Sequence, residues 1–255
     1  KPLNEAAVWQ RALIMAAGAF MNFLLGFVVM VILIAAQSEP ITSRVIYAID
    51  DGALCGQTGL EAGDKVLAVN GRRCFVANDM LYELMRTEDY SARFTVLRGG
   101  EKVELPCVRF DTWQDDSGET HMSLGFTVYG IRKTPTNVLK EAWNSVLYYG
   151  RIIFTSLMDL LRGRESINNL SGPVGIVTAI GQAASYGWQD LLQMLALITV
   201  NLGIFNLLPF PALDGGKVVF LLIEGVTGHA VPEKIQSGLT LAAFALFFGL
   251  MLFAT

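Results

Sequence analysis

Three long, strongly apolar stretches of this chain carry no charged residue. Residues 12–36 run for about 25 positions without a formal charge, enough to cross a bilayer core with some tilt. Residues 191–208 and 238–255 repeat the pattern over about 18 positions each. Between the first two, the apolar period shortens to two. Residues 43–49 read as a strand and Asp50-Asp-Gly-Ala as a turn. A second strand carries Val66, Ala68 and Asn70 on one face and runs into the hairpin turn Asn70-Gly71. Residues 78–86 predict a helix, with Asn78 as N-cap and Met80, Leu81, Leu84 and Met85 at helical spacing. Residues 94–105 predict a hairpin with Gly99-Gly100 at its tip, followed by an acidic loop over 111–118 and a short strand over 122–129.

A different helical period covers residues 135–163, where Trp143, Val146, Leu147, Ile153, Phe154, Leu157 and Leu161 repeat at three and four. Arg151 and Asp159 fall inside it, so the expected helix lies in the membrane interface instead of spanning. The fold class is therefore an α-helical membrane protein with three transmembrane helices and an inserted α+β domain. The expected segments are 1–42 (first transmembrane helix), 43–111 (the α+β domain), 112–189 (a linker strand and the interfacial helix) and 190–255 (the remaining membrane core).

Composition supports this class: 53% of the 255 residues are hydrophobic and 16% charged. A net charge of −4 gives no reason to expect a nucleic-acid partner, and the expected partners include the lipid bilayer. Cys55, Cys74 and Cys107 have no Cys-x-x-Cys spacing and read as ordinary thiols. The first eleven residues are polar and carry no cleavable signal pattern. By count of crossings, Lys1, Arg11, Lys217 and Lys234 fall on one side of the membrane, which the positive-inside bias places in the cytoplasm. The α+β domain is then extracytoplasmic.

The chemistry concentrates in residues 201–217, Asn-Leu-Gly-Ile-Phe-Asn-Leu-Leu-Pro-Phe-Pro-Ala-Leu-Asp-Gly-Gly-Lys. Pro209 and Pro211 each remove a backbone donor, and Asp214 stands alone between two apolar runs. An ionisable group at membrane depth is a functional candidate, while an Asp-Gly-Gly turn at a helix end is the plain alternative.

The order Asn-x-x-x-x-Asn-Leu-x-Pro-x-Pro-x-Leu-Asp-Gly-Gly resembles the second signature of site-2 proteases, intramembrane zinc metalloproteases, and most of all the branch that includes the regulator-of-sigma-E protease. The resemblance implies that Asp214 is the third ligand of a zinc ion (Zn2+) and that Asn201, Asn206, Pro209 and Pro211 help hold substrate. Gly18-x-x-x-Asn22 is similar to another element of that family, with Ala19 where a proline is usual, and reads as close helix packing. Asn168-Asn-Leu-Ser-Gly-Pro resembles the family's turn into a later span. Gly59-Leu-Glu-Ala-Gly-Asp-Lys-Val-Leu-Ala-Val-Asn-Gly71 resembles the core of PDZ domains, which implies a groove for a peptide or protein terminus between a strand edge and the helix at Asn78.

The family also uses His-Glu-x-x-His, two ligands one helical turn apart around a general base. This sequence lacks that motif, so no catalytic residue is assigned in it. Its two histidines, His121 and His229, read as surface residues. The resemblance therefore implies the C-terminal portion of a protease of the bacterial inner membrane, inactive alone. Its substrates would be transmembrane proteins such as anti-sigma factors or signal-peptide remnants. Two alternatives remain: a membrane-anchored PDZ adaptor without catalysis, and an aspartyl protease pairing Asp214 with Glu224.

Overall fold

The computed structural model describes residues 6–87, 89–163 and 173–253. Contacts divide the chain into two compact units, Lys1–Leu33 with Tyr149–Thr255, and Ile34–Tyr148.

α1 (Val8–Ala36) takes in the first uncharged stretch whole. Large apolar side chains at Leu13, Phe20, Met21, Leu25, Val28 and Ile32 are exposed along it. A helix apolar all round suits burial or lipid better than water. Among the described residues, α1 is one of two helices long and apolar enough to cross a membrane.

In the second unit β1 (Ile41–Ile49) is followed by α2 (Leu54–Gln57), β2 (Lys65–Val69), β3 (Arg72–Arg73) and α3 (Ala77–Met85). Then come β4 (Ser91–Arg98), β5 (Glu101–Arg109), β6 (Asp111–Gln114), β7 (Thr120–Ser123) and β8 (Phe126–Ile131). The main sheet runs β5-β4-β2-β1-β8, and β6 pairs with β7 alone. Asn70 and Gly71 both take positive φ, 50° and 76°, as a two-residue hairpin turn of that type requires. Gly99 and Gly100 do the same at the β4–β5 tip. The helix predicted over 78–86 starts one residue earlier, at Ala77, with Val76 as its N-cap. Asn78 is thus inside the helix, and Asp79 does the capping: its Oδ2 accepts from the backbone N–H groups of Phe75 and Val76.

The strand expected over 122–129 is two strands, broken at Gly125, whose φ is 64°. β8 pairs with β1 from Ile41↔Ile131 to Ile49↔Phe126. This pairing carries the sheet past residue 111, where composition alone had ended the α+β domain. Phe126 then joins Phe94 and Phe110 in the core, with centroids 6.1 and 6.4 Å apart along the series. Met80 and Leu84 of α3 close that core from one side. At its rim Asp64 is fully buried, and its carboxylate accepts two bonds of 2.7 Å from Arg98 and one of 3.0 Å from the N–H of Glu61. A buried charge is tolerated where it is paired and hydrogen-bonded in this way.

α4 (Pro135–Leu161) is the predicted amphipathic helix. Within the second unit its buried side is Val138, Ala142, Ser145 and Val146, and Leu139, Trp143 and Leu147 are exposed. Glu141 lines a cleft of about 160 Å³ with Arg44, Lys65 and Lys140. Burial pushes its carboxyl up to about 7, Asp79 of α3 adds to the rise, and Arg44 and Lys140 oppose it. The folded value lies above the 4.5 of an ordinary glutamate, so protonated Glu141 favours the folded unit fully below that value. The contribution is lost as pH rises through 7. Thermal unfolding of this unit is expected to shift downward between about pH 5 and about pH 8. Glu141→Gln should remove part of that shift, and an identical pH profile in the variant would refute it.

The first unit continues with α5 (Pro173–Tyr186), α6 (Trp188–Leu207), α7 (Asp214–Thr227) and α8 (Glu233–Phe253). α6 is the second helix long and apolar enough to cross a membrane. The turn expected at 168–172 lies outside the described residues. α1 packs on α6 through small residues: a Cβ on Gly26 would stand 2.8 Å from Val200 Cγ2, and the Phe23 ring lies 3.2 Å from the Cβ position of Gly203.

Candidate functional site

α6 stops at Leu207 because Pro209 disfavours helical backbone at Leu208, which is extended at φ −62°, ψ 141°. The chain then makes two tight backbone turns. Phe210 N–H donates to Leu208 O at 2.7 Å, and Leu213 N–H donates to Phe210 O at 2.9 Å. Leu213 is the N-cap of α7, so Asp214 is that helix's first residue. A carboxylate is favoured there by the unpaired N–H groups and the helix dipole.

Gly215 and Gly216 serve a purpose other than turning the chain. Both are helical, and both are buried against the loop just traversed. A Cβ on Gly215 would lie 2.3 Å from Leu208 O, and one on Gly216 would lie 2.2 Å from Phe210 O. Only glycine lets two backbones come that close. The first turn of α7 is thereby pressed onto residues 207–211, which fixes the carboxylate relative to the proline segment. From α8, Thr240 Oγ1 donates to Pro211 O at 3.1 Å and holds the same loop from another side.

The Asp214 side chain is about one-third exposed, and its Oδ1 lies 3.3 Å from Lys217 Nζ, one turn along α7. Its Oδ2 lies 3.5 Å from where Gly18 would carry a Cβ, so α1 forms a wall of the site. The Gly18 pattern reads in sequence as helix packing only; that it faces this carboxylate depends on tertiary structure. Lys217 is legible as an i, i+3 partner, whereas nothing in the sequence singles out Thr240.

The substrate-binding candidates divide. Pro209 is exposed and Pro211 half-buried, both in the segment held by the glycines. Asn201 and Asn206 both sit on α6, five residues apart, which is about 140° around a helix. They do not share a face. Asn201 Oδ1 is buried without a hydrogen-bond partner.

Other titratable groups are committed elsewhere. Glu224 makes a two-pronged ion pair with Arg11, the second contact 3.2 Å long, so it is not held as a second acid for Asp214. His229 follows α7, at the far end from Asp214 and roughly 20 Å away along the axis, and its Nδ1 lies 2.9 Å from Thr227 O. His121 is on β7, where it stacks on Trp113 at 4.8 Å and meets Asp115 at 3.0 Å. Among the described residues, one group of potential ligands gathers, Asp115, Glu119 and His121. Asp115 is consumed there as a loop cap: Ser117, Glu119 and His121 surround its carboxylate and hold it well below the usual range, the Ser117 hydroxyl contributing most. Asp214 can thus supply one ligand, and among the described residues it belongs to no gathered group of three potential ligands.

Comparison with known proteins identifies the family of the chain. The chain is 33% identical over 247 residues to the zinc metalloprotease RasP of Geobacillus kaustophilus, covering 96% of this chain and 58% of the relative. It is 30% identical to the regulator of sigma-W protease RasP of Bacillus subtilis, over 100% of this chain and 60% of that protein. The zinc metalloprotease RasP of Bacillus licheniformis shows the same 30% identity, with 100% and 60% coverage. The chain therefore spans about three-fifths of the length of these relatives. The model of peptidase family M50 matches residues 1–250, and the chain belongs to that family.

Proposed function

We propose that this chain is the part of an intramembrane zinc metalloprotease that supplies its carboxylate ligand, Asp214. The observation that carries the reading is the placement of a single carboxylate at the head of α7, pressed by Gly215 and Gly216 against a proline-broken segment. Two further ligands and the general base belong to a His-Glu-x-x-His sequence that this chain does not contain. Alone, the chain supplies one ligand of three and is expected neither to hold stoichiometric zinc nor to cut. When bound, zinc polarises the scissile carbonyl and lowers the pKa of its water. Asp214 offsets the metal's charge, and the non-helical residues 208–211, with Asn201 and Asn206, receive an unwound transmembrane segment as a strand. Anti-sigma factors and signal-peptide remnants are the substrate class.

The sheet unit is read as PDZ-like. β8 is an edge of its sheet and α3 lies beside β1 and β2, so a peptide terminus would add to the β8 edge. We take this unit as a filter, not as the catalyst. α8 is the third span, and the sheet unit stands outside the cytoplasm of a bacterial inner membrane. Cys107 on β5 is exposed whereas Cys55 and Cys74 are buried, so Cys107 reports the side. A membrane-impermeant maleimide should label it in intact spheroplasts; labelling only after lysis would reverse the orientation.

The function itself is tested in the full-length protein with a transmembrane substrate in detergent. Stripping the metal with a chelator should stop cleavage, zinc should restore it, and deleting the whole sheet, residues 41–131, should leave a pre-trimmed substrate cut. Cleavage that continues without metal would remove the metalloprotease reading.

A further inference from the structure

We propose that Asn22 of α1 belongs to the Asp214 site, where its amide donates to the main chain of an unwound polypeptide substrate. This rests on the protease reading above. The inward face of α1 carries Ala19, Asn22, Gly26, Val29, Met30 and Leu33 at helical spacing. Two glycines locate that face. Gly18 looks at Asp214 Oδ2, 3.5 Å from its Cβ position, and Gly26 looks at Val200 and at Ala196 O, 2.8 and 3.6 Å away. Asn22 is four residues from each, so its Cβ stands about 5–6 Å along the helix from either. The amide therefore lies between the carboxylate and the middle of α6.

Asn22 is half-buried, and among the described residues no hydrogen bond is made by its side chain. A primary amide in an uncharged helix is costly when unpaired. Across the seam Asn201 shows the same feature, a buried Oδ1 without a partner, one residue after the Val200 that packs on Gly26. Each side-chain amide offers both a donor and an acceptor, the pair that a peptide group presents. The ligand class is thus backbone: an extended stretch whose N–H and C=O groups have lost their helical partners. Recognition of this kind ignores side-chain identity, so Asn22 should matter equally for substrates of unrelated sequence.

The test uses the full-length protease. Asn22→Leu removes an unpaired amide and keeps the bulk, so its thermal midpoint in detergent should equal or exceed that of the wild type. Its kcat/KM should fall about tenfold, alike for two substrates of unrelated sequence. A photo-crosslinking residue at position 22, in an Asp214→Asn background that cannot cut, should capture the substrate. The same residue at 20 or 21, whose native Phe20 and Met21 point outward with 64% and 57% exposure, should not. A lowered midpoint in Asn22→Leu, wild-type cleavage by it, or capture no stronger at 22 than at 20 and 21 would each overturn the proposal. Those results leave the protease reading standing; that reading falls separately if Asp214→Asn still cleaves.

Discussion

Asp214→Asn in the full-length protease is expected to reduce cleavage of a transmembrane substrate by more than about 100-fold, since changes to groups that merely support a metal ligand already cost 10–100-fold. The fold should survive. Asparagine matches the carboxylate in size, and like aspartate it suits the start of a helix. The oxygen near Gly18 is kept or exchanged for an amide nitrogen of similar radius, so the α1 wall needs no repacking. What is lost is the charge that opposes a dication and the ion pair with Lys217. That pair is about half exposed on the lysine side, so breaking it costs little stability. Zinc content by atomic absorption should drop from about one per protein, as three protein ligands would hold. The thermal midpoint in detergent should stay near the wild-type value. Full occupancy and full cleavage in the variant would return Asp214 to a turn residue.

Much of this site is legible in sequence, because its signals are local. A lone carboxylate after an apolar run, two prolines that end a helix and a glycine pair after the acid can be read from one short stretch. The sheet unit yields to the same kind of reading. Asn70-Gly71 and Gly99-Gly100 fix their turns by positive φ alone, and Gly63, also at positive φ, turns the chain into β2.

The rest depends on contacts distant in sequence. β8 completes the sheet from beyond an acidic hairpin, and no local pattern says that residues 126–131 return to pair with residues 41–49. Asn78 is a better N-cap by type than Val76, yet Asp79 caps by reaching back to Phe75 and Val76, a choice set by how the core seats Met80 and Leu84. Gly18, Thr240 and the Arg11–Glu224 pair come to the site's neighbourhood only when α1, α7 and α8 pack together. The glycine pair itself reads in sequence as a tight turn, while in the structure it is close approach.

That difference makes Gly216→Ala the most informative stability variant. On propensity alone, alanine in a helix beats glycine by about 1 kcal/mol, so an unconstrained site would gain. At Gly216 the new Cβ would stand 2.2 Å from Phe210 O, 2.6 Å from Phe210 C and 2.7 Å from Pro211 Cα. All three are backbone atoms, held by the Leu213 N–H bond to Phe210 O and the Thr240 bond to Pro211 O, so neither side can yield as a side chain would. The first turn of α7 must retract or residues 208–211 must move. The expected cost is about 3 kcal/mol, the upper end for overpacking. Asp214 leaves its place relative to the proline segment, so cleavage by the full-length protease should be lost even where the helices still assemble. Gly238→Ala in α8 is the control: its Cβ meets nothing within 4 Å, so the propensity gain should show undiminished. Thermal unfolding in detergent and cleavage measured side by side separate the two. If Gly216→Ala is as stable and as active as Gly238→Ala, the close approach of α7 to the proline segment is not what holds Asp214.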